Sequence, residues 1–372
     1  MEYSGRGLNK ADKMNTTCVP IDESVISNFL MGVYIVAFIL GLTFNLLTLG
    51  PIIQQVRSHN VLGVFLLNLL LSDLLYILTM PLWVNYYHNY HRWGLGPASC
   101  SVAGFIYYSN MYISIFLLCC ISLDRCLAVT RPLRSRAIRS SRNAWLLCTA
   151  VVLTITALHV LVLIKVNVTD AHDKVNGNDR CYETYPMPEP VARFNLARVG
   201  VGFLLPLLVL GGSYSMVVGA VGQSRGLSPK AKRKVRLLSF GVIGIFSVCF
   251  APYHILLLAR SLVFYLKDNL EDYCQFERAT HFPFSCLLAL STLNSVLDPV
   301  LYVLVSNVKE DFRLCWGWTE WRMSRRRLGG GGGGGQAGTF GRMEVETEGK
   351  GEERGQGSSA TATSQRTQTY SI

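Results

Sequence analysis

Seven long apolar stretches run through this sequence, beginning near Phe29, Val61, Ser99, Ala144, Asn195, Leu237 and Phe282. Each holds roughly 20 or more mostly apolar residues, enough to cross a ~30 Å hydrocarbon core at ~1.5 Å per residue. Inside lipid, only a helix or a closed barrel pairs all of its backbone N–H and C=O groups. The stretches are too long and continuous for barrel strands of ~10 alternating residues. The expected fold is an all-α membrane protein, a seven-transmembrane helix bundle. A short amphipathic eighth helix is expected around Leu314 to Trp318.

Charge gives the orientation. The chain has 372 residues, 50% hydrophobic and 16% charged, with net charge +11. A nucleic-acid partner is excluded by where the charges lie. Arg131, Arg134, Arg136, Arg139 and Arg142 fall between the third and fourth stretches, and Arg225, Lys230, Lys232, Arg233, Lys234 and Arg236 between the fifth and sixth. Lys309, Arg313, Arg322 and Arg325 to Arg327 follow the seventh. The alternate loops are nearly balanced; the last sets Lys267 and Arg278 against Asp268, Glu271, Asp272 and Glu277. Basic loops stay in the cytoplasm, which puts the N-terminus outside a plasma membrane.

Three regions are expected: an extracellular segment 1–28, a helical domain 29–318 and a cytoplasmic tail 319–372. Residues 1–28 are polar and the first apolar run is too long for a signal h-region, so it reads as a signal anchor rather than a cleavable peptide. Seven glycines, Gly329 to Gly335, open a Gly/Ser/Thr/Glu-rich tail that has little apolar surface to bury. Asn15 and Asn167 head glycosylation sequons on the outer side. Cys18, Cys100, Cys181 and Cys274 also lie outside, where disulfides persist. Four cysteines allow three pairings; the favoured one joins Cys100 to Cys181 and Cys18 to Cys274. Cys315 is a candidate for palmitoylation or a free thiol.

Short polar motifs recur at fixed depths. Asn45 sits within the first span, Asp73 within the second, Asp124-Arg125 at the end of the third, and Asp298-Pro299-Val300-Leu301-Tyr302 near the inner end of the seventh. Pro206 and Pro252 interrupt the fifth and sixth. An intramembrane carboxylate is costly and by default functional. No metal-ligand spacing, nucleophile–base set or phosphate loop is visible, so no covalent chemistry is expected. A transporter would call for a polar pathway or repeated halves.

The ordered set resembles the rhodopsin-like family of G-protein-coupled receptors over about residues 25–318. Cys100 precedes Arg125 by 25 residues, ~37 Å of helix, so one marks the outer face and the other the inner. Departures from the family's commonest pattern are Cys126 after Asp124-Arg125, Phe250 in Cys249-Phe250-Ala251-Pro252, and Asp298 before Pro299. Val152 stands about where the family's fourth-helix Trp is expected. Met80-Pro81-Leu82-Trp83, His91-Arg92-Trp93, Cys249 to His254, and Ser291-Thr292-Leu293-Asn294 with Asp298-Pro299 resemble the proton-sensing and lysolipid group of that family. Cys119 to Ser122 and Leu227-Ser228 are most similar to its G2-accumulation branch.

The resemblance implies a receptor for an extracellular lysolipid, an oxidised fatty acid or protons, with a nucleotide or peptide ligand as the alternative. It implies a heterotrimeric G protein, arrestin and receptor kinases as partners. Tyr107 lies 18 residues, five turns, above Arg125, where amine receptors resemble one another in carrying aspartate. The expected ligand site is Tyr107, Arg198, Phe250, His254 and Arg260, the arginines suiting phosphate or carboxylate. Both arginines have an alternative as an ion pair with outer-loop acids or as side chains snorkelling to lipid headgroups, more so Arg260 than Arg198. The inner switch is expected at Asp124, Arg125, Tyr214, Pro252, Pro299 and Tyr302.

Asp73, Ser114, Asn294 and Asp298 are expected to converge. Two close, poorly solvated carboxyls share one proton or a sodium ion, the only cofactor expected. Among seven histidines, His88, His91, His172 and His281 are expected on the outer surface, where titration near neutral pH would suit an acid sensor. Ile155 stands where the proton-sensing group has an acid, which counts against that sensor.

Overall fold

The computed structural model describes residues 18, 24–166, 180–182, 187–223, 228–267 and 269–305. Asn15, Asn167, His172, Cys315, the eighth helix and the tail lie outside them. Seven spans are present: α1 Ser24–Arg57, α2 Val61–His88, α3 Pro97–Thr130, α4 Ser141–Val166, α5 Glu189–Gln223, α6 Pro229–Leu266, and α7 built from Leu270–Ser291 and Asn294–Val305. The described residues contain no strand.

Polar side chains start several helices by accepting an otherwise unpaired first-turn N–H, worth ~1 kcal/mol each. Asn60 accepts from the Leu62 N–H at 3.0 Å, Ser228 from the Ala231 N–H at 3.2 Å, and Asn269 from the Glu271 N–H at 3.1 Å. The last two correct the expected ends. Lys230 to Arg236 form the first turns of α6 rather than a loop, and Glu271 to Arg278 the first turns of α7. Hydropathy marks the lipid-crossing window, whereas Lys, Arg and Glu are good helix formers that carry the helix beyond it.

Proline shapes the middle of the bundle. It lacks an N–H and its ring clashes with the carbonyl four residues back. Ahead of Pro206, Gly200–Leu204 opens into a π turn, and Phe246–Phe250 does so ahead of Pro252. Before Pro81, α2 breaks between Ile77 and Met80, and the Thr79 hydroxyl caps the Tyr76 carbonyl at 2.7 Å.

The third helix is the most buried, with buried residues from Cys100 to Cys126 and only Val102 and Leu123 as large apolar side chains exposed between them; α4 is the outermost and shows Leu146, Leu153 and Leu161 to lipid. Helices in lipid associate through close packing. Gly202 shows how close: a Cβ there would lie 2.5 Å from the Tyr112 ring. Outside the bundle, Cys100–Cys181 and Cys18–Cys274 are disulfides with Cα separations of 5.7 and 5.5 Å.

Candidate functional site

The outer site is built around Arg198 on α5. Its guanidinium lies 5.0 Å from the Tyr108 ring centre, 5.6 Å from Phe194, 5.8 Å from Tyr253 and 6.0 Å from Tyr112. It donates to the Tyr253 hydroxyl, while its Nε is buried without a partner. No carboxylate among the described residues pairs with it. Tyr108 and Tyr112 are one turn apart on α3, so both rings face α5.

Beneath this cage His254 joins α6 to α3 and α5. Its Nδ1 lies 2.8 Å from the Phe250 carbonyl and must carry a proton. In the neutral ring Nε2 then accepts from the Tyr112 hydroxyl at 3.1 Å. Phe203 stacks on the imidazole at 4.8 Å. Above the cage, Tyr182 follows the disulfide-bonded Cys181. Its ring lies against Gly104, 5.7 Å from Tyr108, and its hydroxyl donates to the Ser101 carbonyl at 3.3 Å. Only a residue without Cβ leaves room for that ring. Burial pushes the Tyr182 phenol upward, so it stays a donor.

At mid-depth, Asp73 Oδ1 accepts from Asn110 Nδ2 and from the Ser295 hydroxyl, both at 2.9 Å. Asn294 donates to Ser114 at 3.1 Å. Asp73 and Asp298 line one small cavity with Asn45 and Pro299, with room for about one water-sized particle. Asp73 Oδ2, both oxygens of Asp298 and Asn45 Oδ1 have no donor within hydrogen-bond geometry among the described residues. Unpaired buried acceptors on one side of a small cavity otherwise walled by Ile52, Leu66, Leu69 and Leu70 fit a proton, a water or a small cation.

At the inner end, Arg125 donates to Asp124 Oδ2 from Nε, at 3.0 Å, and from Nη2. Arg139 donates from Nε to Asp124 Oδ1 at 2.8 Å. Tyr302 is fully buried. Tyr214 meets Phe240 of α6 edge-on at 5.5 Å.

Residues 44–302 match the family described as "7 transmembrane receptor (rhodopsin family)". The chain belongs to the rhodopsin family of seven-transmembrane receptors. Probable G-protein coupled receptor 132 of Mus musculus is 37% identical over 323 residues, 84% of this chain and 82% of that protein. G-protein coupled receptor 68 of Mus musculus is 35% identical over 288 residues, 77% of this chain and 76% of that one. Lysophosphatidic acid receptor 4 of Mus musculus is 32% identical over 298 residues, 77% of each chain.

Tyr107, Arg260 and Phe250 have partners outside the Arg198 cage. Tyr107 turns to α7, donating to the Leu288 carbonyl at 2.7 Å and lying 3.1 Å from the Ser291 hydroxyl. Arg260 is bound by Glu277 and covers the Phe284 ring at 4.3 Å, so its charge is already met. Phe250 is buried below His254 and reaches the site through its carbonyl. His91 and His281 are buried rather than on the surface; His88 is exposed. The sequence reading missed Tyr108, Tyr112, Phe194 and Tyr253 in the cage, and Asn110 and Ser295 in the polar network. The four-residue spacing of Tyr108 and Tyr112 was the available signal.

Proposed function

We propose that this receptor is activated by an anionic or zwitterionic lipid, a lysolipid or oxidised fatty acid. Its headgroup meets Arg198 and its chain lies among the neighbouring aromatic and aliphatic residues. The observation that carries this reading is a guanidinium held by four rings with no carboxylate among the described residues to balance it. Rings stabilise a cation but leave its charge uncompensated, and a phosphate or carboxylate supplies both the charge and two-point hydrogen bonding. The name of lysophosphatidic acid receptor 4 supports a lipid headgroup of this kind. Arg198→Ala is expected to weaken such a lipid by ~1.5–3 kcal/mol, the range for a charged hydrogen bond. Unchanged potency in nucleotide exchange across a panel of lysolipids and hydroxy fatty acids would refute it.

The ligand acts only through its different affinities for two arrangements. Arg125 held by Asp124 is the resting one. In the active one, α6 swings outward around Pro252, Arg125 leaves Asp124, and the cleft beside Tyr214 and Tyr302 receives a heterotrimeric G protein. The N-terminus is outside, and arrestin and receptor kinases act on the cytoplasmic side.

A second input is carried by the Asp298 oxygens that lack donors. Asp73, Asp298 and Asn45 would hold a sodium ion, which supplies a positive charge between the two carboxyls. A proton does the same job, so sodium and acid compete there. Sodium favours the resting arrangement and acid the active one.

A further inference from the structure

Two arginines share one buried aspartate at the inner end of α3. Asp124 is 5% exposed, Arg125 8% and Arg139 24%. Arg139 reaches both oxygens, Oδ1 from Nε at 2.8 Å and Oδ2 from Nη2 at 3.4 Å. It comes from the loop between α3 and α4, which is folded against both helices. Buried Ser135 donates its hydroxyl to the Leu127 carbonyl of α3 at 3.2 Å. The Arg139 N–H donates to the Ser135 carbonyl at 2.8 Å. From the other side, Asn143 of α4 donates to the Ile138 carbonyl at 3.0 Å. The backbone of Arg139 is thus fixed between the end of α3 and the start of α4.

We propose that Arg139 is a positioning residue of the inner switch: it keeps the Asp124 carboxylate paired when Arg125 leaves. This rests on the reading that Arg125 leaves Asp124 on activation. In the resting arrangement Asp124 has two cations, and removing Arg139 leaves one. In the active arrangement Arg139 is the remaining partner. A buried carboxylate stripped of its cation is strongly disfavoured. Arg139 therefore contributes more to the active arrangement than to the resting one, and only such a difference shifts an equilibrium. The two guanidiniums also repel across the shared carboxylate, which again favours release of Arg125. Arg139 thus acts opposite to a lock, although it binds the same aspartate. The inner loop becomes part of the activation equilibrium and not merely a docking surface.

The test uses the full-length receptor with a fluorophore at Arg236→Cys, on the exposed inner end of α6. Fluorescence reads α6 opening as nucleotide-free G protein from each Gα class is added, and the half-maximal concentration is measured. Arg139→Gln is expected to raise that concentration at least about threefold, a modest coupling for a partly solvated charge. Asp124→Asn is expected to lower it. The double variant is expected to match Asp124→Asn within about twofold, because a neutral side chain calls for no counter-cation. Arg139→Lys keeps the charge and restores part of the loss. Size-exclusion and melting profiles confirm that each variant is folded. An unchanged or lowered concentration for Arg139→Gln overturns the inference. So does an Arg139→Gln loss that persists undiminished on Asp124→Asn, which would mean that Arg139 touches the G protein or merely supports the loop. If Asp124→Asn itself changes nothing, the release of Arg125 is refuted instead.

Discussion

Arg260 of α6 and Glu277 of α7 form a two-point ion pair at 3.1 and 2.6 Å, with side chains 5% and 0% exposed. The pair ties the outer ends of two helices whose inner ends are read as moving apart. Removing one member leaves a buried charge unmet, at a cost of ~3–5 kcal/mol. Glu277→Ala is expected to lower the melting temperature of the detergent-solubilised receptor sharply. Arg260→Met with Glu277→Leu is expected to recover most of the loss. Equal melting of Glu277→Ala and wild type would show that the pair is solvated.

Cys100→Ala is expected to abolish surface expression or ligand response. The bond to Cys181 holds Tyr182 over the arginine cage. Cys18→Ala frees only the chain end from Cys274 and is expected to be milder. Surface labelling together with nucleotide exchange separates the two effects; normal signalling by Cys100→Ala contradicts this role.

Gly104→Ala is expected to displace the Tyr182 ring and destabilise the outer loop by ~1–3 kcal/mol, the range for overpacking. Adding Tyr182→Ala removes the clash and is expected to restore stability. Thermal melting checks both; a Gly104→Ala variant as stable as wild type would show that the loop yields freely.

Acid is expected to favour activity through the carboxyl pair. As pH falls, protonation replaces sodium between Asp73 and Asp298, and high sodium pushes the response toward lower pH. Asp298→Asn is expected to flatten that response or shift its midpoint. His88→Phe, at the outer histidine that is exposed among the described residues, is expected to leave it intact. G-protein turnover across pH at low and high sodium decides; the reverse pattern assigns sensing to the histidine.

The seven spans were legible because a helix in lipid must be apolar over a whole membrane thickness. Their ends were less so: Lys230 to Arg236 and Glu271 to Glu277 are helical but look like loop to a hydropathy reading. Within the site, Arg198, Asp73, Asp298 and Arg125 announced themselves as charges in or at the edge of an apolar setting. Their partners did not. Counting five turns up from Arg125 selects Tyr107, yet one residue fewer turns ~100° around the helix, and Tyr108, with Tyr112 one turn on, is the α3 ring that faces Arg198. Pairing Arg260 with Glu277 depends on the placement of α6 against α7, which no local pattern encodes.

The widened turns before Pro206 and Pro252 also set an angular phase. An α-helix advances ~100° per residue, and a π turn accommodates one residue beyond the α count. The outer part of α5, with Arg198, is therefore rotated by roughly that angle relative to the inner part, with Tyr214. Rewinding Gly200–Leu204 as ordinary α-helix would carry Arg198 around the circumference and out of its ring of aromatics, with no bend in the axis. In this bundle the direction in which the ligand-facing charge points is stored as local winding: removing one residue from that turn would leave plain α-helix with Arg198 still facing its aromatics, whereas rewinding it at full length would erase that direction.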